Sequence, residues 1–211
     1  MNFSKRFELM AENLKANRAI KVMELVVNPP ALEAEIEQAR KLAKGVLPAG
    51  VESFFREMNG FYLEWEHNVE SIKQHNDFDK GFIKILPILN IFGNWKGTAW
   101  FEDSEEGDEY KPVKPLDYFA PEACAAFYQM TEEIPLDTIC YHYFGEYLED
   151  TRYTFEEYID RLLASRGYFY WIQTLCEGLQ KSYETAAFRN NMPLIFDDYN
   201  DDLFHPKTVT K

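Results

Sequence analysis

The chain is poor in cysteine, histidine and long hydrophobic runs, and each shortage excludes a class of protein or a kind of site. Its 211 residues include three Cys and four His, too few and too scattered for a disulfide framework or the usual zinc-ligand spacings. No apolar run approaches the roughly 20 residues of a membrane-spanning helix. Residues 1–6 lead into a charged segment, so we expect no secretory signal. An odd number of widely spaced cysteines indicates reduced thiols and a cytoplasmic protein.

Basic residues are also scarce, with 22 Lys and Arg against 36 Asp and Glu and a net charge of −14. Such a chain would repel nucleic-acid phosphates, so nucleic acid is excluded as a partner. The charge is uneven, because residues 1–44 hold eight basic and six acidic side chains and the remainder therefore carries −16. With 46% hydrophobic and 16% aromatic residues, the composition is typical of a folded domain.

Motifs for catalysis or cofactor binding are missing from the sequence. It has no GxSxG elbow, no GxGxxG or Walker pattern and no HExxH or CxxC pair. An EF-hand counted from Glu102 places Gly107 correctly at position six but Val113 at position twelve, where a bidentate Glu is needed. Cys140 and His142 lie two residues apart in an expected strand, so their side chains share a face. They form either a catalytic pair or a buried Cys beside a half-exposed His. We therefore expect no metal, no cofactor and no catalytic residue.

The N-terminal third has a helical period. The spacing predicts a first helix from Phe3 that continues through residues 20–26, a second that begins at Pro30 and ends at Gly45, and a third from Leu47 to the Asn59-Gly60 stop. The side chains expected to face the core are Phe3, Phe7, Met10, Leu14, Leu32, Ile36, Ala39, Ala43, Val51, Phe54, Phe55 and Met58.

After Gly60 the period changes to two, which favours strands. We expect strands at residues 61–66, 82–86, 97–101 and 136–144, a polar loop over 67–80 and a short helix over 119–130. Thr154-Phe155-Glu156-Glu157 predicts a capped helix, and Gly167 separates it from a second helical stripe on Trp171, Leu175 and Leu179. Residues 194–199 are expected to strap onto the body. The fold class is therefore a single α+β domain with N-terminal helices, an antiparallel β meander and C-terminal helices packed on the sheet.

Aromatic and acidic side chains are the best candidates for a binding surface, since aromatics anchor interfaces and acidic rims steer basic partners. Trp95, Trp100 and Tyr110 flank a dense acidic loop, although Trp100 and the strand residue Trp65 would equally suit the core. The expected partner-binding residues are Trp65, Glu66 and His67 at the end of the first strand and Glu102, Asp103, Glu105, Glu106, Asp108 and Glu109 in the acidic loop.

Residues 29–91 resemble the SUKH superfamily, the Smi/Knr-like domain of bacteria and of fungal cell-wall regulators. The likeness lies in Glu35-Ile36 and Ala39, Leu47-Pro48, Phe54-Phe55, Asn59-Gly60, Trp65 and Gly81-Phe82-Ile83-Lys84-Ile85-Leu86-Pro87. Residues 155–159 and 166–171 are similar to the C-terminal helices of a bacterial subset. On this basis we expect a SUKH-like domain over residues 29–180, a helical extension over 1–28 and a C-terminal extension over 181–211 that packs on the body and has a loose end.

The resemblance implies an α+β fold without catalytic residues. Many bacterial members resemble immunity proteins that neutralise polymorphic toxins, often nucleases. We therefore expect a cytosolic module that binds a basic protein, with a toxin domain as the leading partner. A scaffold or regulator of the cell-wall type remains the alternative, and an enzyme is the third hypothesis.

Overall fold

Seven antiparallel strands follow one another in a single sheet, in the same order in space as in the chain. The computed structural model describes residues 2–67, 80–100 and 109–208. The strands are β1 (Ile20–Val27), β2 (Phe61–His67), β3 (Lys80–Ile85), β4 (Val113–Ala120), β5 (Ala123–Tyr128), β6 (Thr138–Tyr143) and β7 (Tyr147–Thr154).

Helices flank this meander at both ends of the chain, which confirms the expected α+β class. Short 3-10 turns occupy Trp171–Leu175, Glu177–Leu179 and Asp201–Leu203. Among the described residues, no helix is both long and apolar enough to cross a bilayer. The helices are α1 (Phe3–Ala16), α2 (Glu33–Leu42), α3 (Val51–Glu57), α4 (Ile88–Ile91), α5 (Phe155–Ser165) and α6 (Tyr183–Ile195).

Aromatic rings bind the helices to one face of the sheet. Phe7 of α1 lies edge-on to Phe61 of β2, with the ring centroids 4.6 Å apart. Phe54 of α3 contacts Phe155 of α5 in the same geometry at 5.5 Å. All four rings are almost fully buried. Burial of this much apolar area on the helix-covered face is the main source of stability.

Local signals predicted several elements correctly. The four expected core positions of α3 are fully buried. Thr154 caps α5 as its pattern predicts, because its hydroxyl accepts from the N–H of Glu157 and the Glu157 carboxylate accepts from the N–H of Thr154. Gly60 adopts a φ of +107° just before β2, a conformation that glycine tolerates best.

The expected continuation of the first helix through residues 20–26 is wrong. Asn17 ends α1, and the N–H of Ile20 donates to its carbonyl at 3.0 Å in a tight turn. The chain then runs along β2 as β1, paired from Ile20 opposite His67 to Val27 opposite Phe61. Its β-branched residues suit this pairing, and long-range hydrogen bonding outweighs the helical spacing.

The expected helix over residues 119–130 is also wrong, because this segment forms the end of β4 and all of β5. Alanines at 123, 125 and 126 favour a helix in isolation, but here they pair with β4 and β6 in the middle of the sheet. Residues 97–99 form a turn and not the expected strand, since Gly97 has a φ of +79°. The strand β7 has no counterpart among the expected elements.

Three boundaries differ from expectation. The helix α2 begins at Glu33 and not at Pro30, so the expected core residue Leu32 is 69% exposed. The stripe from Trp171 to Leu179 is wound as 3-10 turns, because the chain enters it through Tyr170 in a left-handed conformation. In the expected strap, Phe196 is buried, whereas Leu194 at the end of α6 is exposed.

Candidate partner-binding face

The two faces of the sheet differ in what covers them. On β2, odd positions from 61 to 67 are buried, whereas Tyr62 and Glu64 are half-buried and Glu66 is exposed. On β3, Lys80 and Lys84 are exposed on the same side as Tyr62. This side of β1–β3, whose described side chains are exposed or half-buried, is the open face together with the adjoining end of β4. Its exposed side chains are accessible to a partner.

Three cross-strand rows make up the open face, and its middle row sets two glutamates side by side. Glu24 lies directly opposite Glu64, and Glu64 lies opposite Phe82. Like charges directly opposite one another destabilise a sheet. Partial burial, and after it the charges of Glu64 and Glu24, raises the pKa of Tyr62. The rows are Lys21–Glu66–Lys80, Glu24–Glu64–Phe82 and Val26–Tyr62–Lys84.

An aromatic groove of about 350 Å³ runs beside the middle row. Phe82 lies edge-on to Tyr62 at 5.1 Å. The ammonium group of Lys84 lies 5.6 Å from the ring centroid of Tyr118, and that of Lys80 lies 4.9 Å from the ring of Phe169. The groove therefore offers apolar ring surface with fixed charges at its rim. Its lining residues are Glu64, Lys80, Gly81, Phe82, Lys84, Tyr118, Phe119, Ala120, Pro121 and Phe169.

The groove exists because β3 and β4 part after one shared register pair, Ile85 with Asp117. Beyond that pair the segment 167–169 bonds to β3, as the N–H of Phe82 donates to the carbonyl of Gly167 at 2.7 Å. A Cβ on Gly167 would lie 2.3 Å from the side chain of Ile83, and its φ is +67°. Only glycine allows this close approach. Gly167, which interrupts the helical pattern in the sequence, therefore lets the segment 167–169 take the place of β4 beside β3.

Residues on either side of the acidic loop pack on the same side of the sheet. Trp95 stacks on Tyr118 of the groove at 6.1 Å, and its indole N–H donates to the carbonyl of Ile91 at 3.0 Å. Tyr110 stacks on His142 of β6 at 4.9 Å. The ammonium group of Lys111 lies 5.7 Å from the ring of Trp100. The groove thus adjoins the segment that carries the acidic loop.

Trp65 and His67, both expected on the binding surface, are buried. The Trp65 indole N–H donates to the carbonyl of Arg166 at 2.7 Å, and its ring lies edge-on to Phe196 at 5.6 Å. His67 is 4% exposed at the end of β2. The period of two that defines the strand also turns every second side chain inward, so the expectation for these two residues is corrected.

The other expected binding residues divide by position. Glu66 is exposed on the open face, between Lys21 and Lys80. Glu109 is exposed at the end of the acidic loop. The remaining members of the loop lie outside the described residues, so their role stays a prediction. They are Glu102, Asp103, Glu105, Glu106 and Asp108.

Two larger clefts of about 540 and 550 Å³ lie beside α1. In the first, the charged groups already pair within the chain. Arg166 makes two bonds of 2.6 Å to Asp198, and Arg6 pairs with Asp160. The second lies between α1 and β1 and is lined by both apolar and polar side chains, among them Lys5 and Glu8, which pair at 2.8 Å. Of these three cavities, the groove is the one with four aromatic rings in its lining, which also includes Glu64 of the opposed pair.

The cysteines are placed as core residues. Burial raises the pKa of Cys140 to about 12 and raises those of Cys124 and Cys176 well above the usual range. Cys140 and His142 share a face as expected, but the thiol donates to the carbonyl of Ala126, and His142 Nδ1 lies 3.0 Å from the carbonyl of Tyr147. His142 is fully buried and not half-exposed. A raised pKa disfavours the thiolate that nucleophilic chemistry needs.

Asp117 is a buried carboxylate that was not among the expected site residues. Its Oδ1 accepts from the backbone N–H of Lys84 at 2.7 Å, and its Oδ2 accepts from the hydroxyl of Tyr158 at 2.9 Å. Complete burial raises its pKa to about 6, although both hydrogen bonds oppose that shift. It joins β3, β4 and α5 directly beneath the groove. An acidic residue placed between Leu116 and the aromatic pair Tyr118-Phe119 is the signal that could have marked it.

Within the described ranges, no group of three or more His, Cys, Asp or Glu side chains is placed to hold a metal ion. In comparisons with known proteins, neither a family model nor a curated protein matches this chain.

Proposed function

We propose that this chain is a non-catalytic, cytoplasmic protein-binding module of the SUKH type that acts as an immunity protein. It neutralises a basic toxin domain by docking on it through the open face. The observation that carries the proposal is the pair of opposed glutamates, Glu24 and Glu64, beside an aromatic groove. Repulsion between these carboxylates destabilises the free protein. A cation bound between them would remove that repulsion.

An arginine or lysine of the partner suits this position. Its charge would relieve the repulsion between Glu24 and Glu64, and its aliphatic stem would lie against Phe82 of the same row. The neighbouring rings of Tyr118 and Phe169 provide the kind of aromatic surface that anchors protein interfaces. Arginine fits best, because a planar guanidinium both stacks on rings and bridges two carboxylates.

The charge of the whole chain supports the same class of partner. A net charge of −14 attracts a basic protein over distances comparable with the Debye length, roughly 8 Å at physiological ionic strength. Nucleases carry basic surfaces because they must hold phosphates, so an acidic inhibitor gains both association rate and discrimination. A nuclease toxin domain is therefore the kind of basic partner that the net charge of the chain favours.

Co-expression with the product of the neighbouring gene tests the proposal. We expect a one-to-one complex that survives purification and a rescue of growth when the partner alone is toxic. If that product neither binds the chain nor impairs growth without it, the immunity function is wrong.

A single substitution at Glu24 tests the docking position. Glu24→Gln removes one of two like charges, so we expect the free protein to gain ~0.2–1 kcal/mol in unfolding free energy. The same change should weaken partner binding by about tenfold, equivalent to ~1.4 kcal/mol. Urea unfolding and calorimetric titration measure the two effects.

Glu12→Gln is the matched control, because Glu12 is an exposed glutamate on α1, which packs on the opposite face of the sheet. It removes the same charge away from the open face and should change neither quantity appreciably. Equal losses of affinity in both variants would show that only net charge matters and that the open face is not the docking surface.

A further inference from the structure

Five large apolar side chains are exposed where the C-terminal end of α2 meets the connection between β5 and β6. Their exposed fractions lie between 39 and 53%. Single exposed apolar residues are ordinary on protein surfaces, whereas a contiguous group marks an interaction site. Two come from the C-terminal end of α2 and its following turn, and three come from the segment between β5 and β6. This end patch consists of Leu42, Val46, Met130, Ile134 and Leu136.

The two segments of the end patch are tied to each other. The buried side-chain amide of Gln129 donates to the carbonyl of Leu42 at 3.0 Å and to that of Glu133 at 3.1 Å. The ammonium group of Lys44 lies 2.8 Å from the Glu132 carboxylate. These contacts hold the two segments side by side, so their exposed apolar side chains belong to one surface.

The backbone of this surface is held in an uncommon conformation. Lys44 has a φ of +57° and Glu132 a φ of +64°. Left-handed backbone is disfavoured for residues other than glycine and is retained where surrounding contacts demand it. These are the same two residues that form the ion pair across the patch. Preorganisation of this kind lowers the conformational entropy lost on docking.

The charges around the end patch are divided between its two segments. Lys44 and Glu132 already pair with each other within the chain, so the charges that can face a second copy are Lys41 on the α2 segment and Glu133 and Asp137 on the β5–β6 segment. A two-fold axis through the patch would set the basic segment of one copy against the acidic segment of the other and join the apolar residues at the centre. With a net charge of −14, two copies of the chain repel each other wherever such complementary charges are absent.

We infer that the end patch is the interface of a symmetric homodimer, with a second copy of this chain as its occupant. A two-fold interface requires a surface that complements itself, and opposite charges on either side of an apolar centre meet that requirement. The patch lies at the open end of the β4–β5 hairpin, whereas the groove lies at its turn, near Pro121. A strand of eight residues separates them by roughly 25 Å, so a dimer leaves the open face free.

Sedimentation equilibrium over a concentration series tests this interface. We expect a reversible dimer for the full chain and at least a hundredfold weaker association for Ile134→Glu, which places a charge at the apolar centre. Leu194→Glu is the control, because Leu194 is an exposed leucine on α6 outside the patch. Unchanged circular dichroism and thermal unfolding exclude misfolding of either variant. A monomer at every concentration, or a dimer unaffected by Ile134→Glu, would overturn the inference.

Charge reversal tests the pairing of the two segments. Lys41→Glu and Glu133→Lys should each weaken the dimer about tenfold, since each sets like charges against one another. The double variant restores opposite signs and should recover most of the association. If the double variant is as weak as the sum of its parts, the proposed arrangement of the two copies is wrong.

Discussion

At the scale of the single residue, Asp117 makes the stability of this protein depend on pH. Burial raises its pKa in the folded chain to about 6, above the ordinary value of 3.8. The folded state therefore binds this proton more tightly than the unfolded state. The contribution favours folding at acid pH and is lost as the pH rises through about 6.

Asp117→Asn isolates this effect, because the amide oxygen can still accept from the N–H of Lys84 and the amide nitrogen can donate to the Tyr158 hydroxyl. Urea unfolding of both proteins between about pH 4 and pH 7 measures it. We expect the wild type to lose about 2 kcal/mol relative to the variant over that range, which is most of the full effect at ~1.36 kcal/mol per pKa unit. Parallel pH profiles would show that Asp117 does not titrate in this way.

At the scale of the element, the packing of β2 against β3 depends on a glycine. A Cβ on Gly81 would lie 1.9 Å from the indole nitrogen of Trp65, which is fully buried. Gly81→Ala should therefore lower the free energy of unfolding by ~1–3 kcal/mol, because the core must shift to admit a methyl group. Gly93→Ala is the control, since the nearest atom to its Cβ is at an ordinary 3.4 Å. Equal stability of the two variants would mean that the Trp65 site tolerates a larger residue.

The start of α5 allows a second prediction at this scale. Removal of the Thr154 hydroxyl leaves the N–H of Glu157 without its capping acceptor. We expect Thr154→Ala to cost ~1 kcal/mol of unfolding free energy, measured by urea titration. Thr154→Ser keeps the hydroxyl and should be nearly neutral, and a similar loss in both variants would indicate that the methyl group matters more than the cap.

At the scale of the whole molecule, negative charge should control how fast a partner arrives. Added salt screens exposed charges, so we expect the association rate to fall steeply with ionic strength and the dissociation rate to change little. Replacing Glu105 and Glu106 by Gln should slow association at low salt without lowering the melting temperature. Stopped-flow mixing at several salt concentrations measures this, and an association rate independent of salt would contradict electrostatic steering.

Helices and strands with strong local signals were predictable from the sequence. The capping box at Thr154 and the apolar spacing of α3 depend on residues within one or two turns, so neighbours in the chain suffice. The helices expected over residues 20–26 and 119–130 are strands, because the partners of these segments lie elsewhere in the sequence. Hydrogen bonds to β2 make the first segment a strand, and pairing within the β4–β5 hairpin makes the second segment part of two strands.

The candidate site was predictable only in part. The alternation on β2 revealed two unlike faces, and Glu66 lies on the accessible one. The same alternation buries Trp65 and His67, but a period of two does not say which face the helices cover. Glu24 and Glu64 are forty residues apart, so nothing local indicated that they meet across β1 and β2.

By itself, the sequence determined the α+β class, the excess of negative charge and the helices with local caps, because these depend on composition and on near neighbours. The tertiary structure alone decided which face of the sheet stays open, which glutamates oppose each other and which apolar residues gather in the end patch. Those outcomes depend on strand register and on the close approach at Gly167, and both are set by contacts between segments that are distant in the chain.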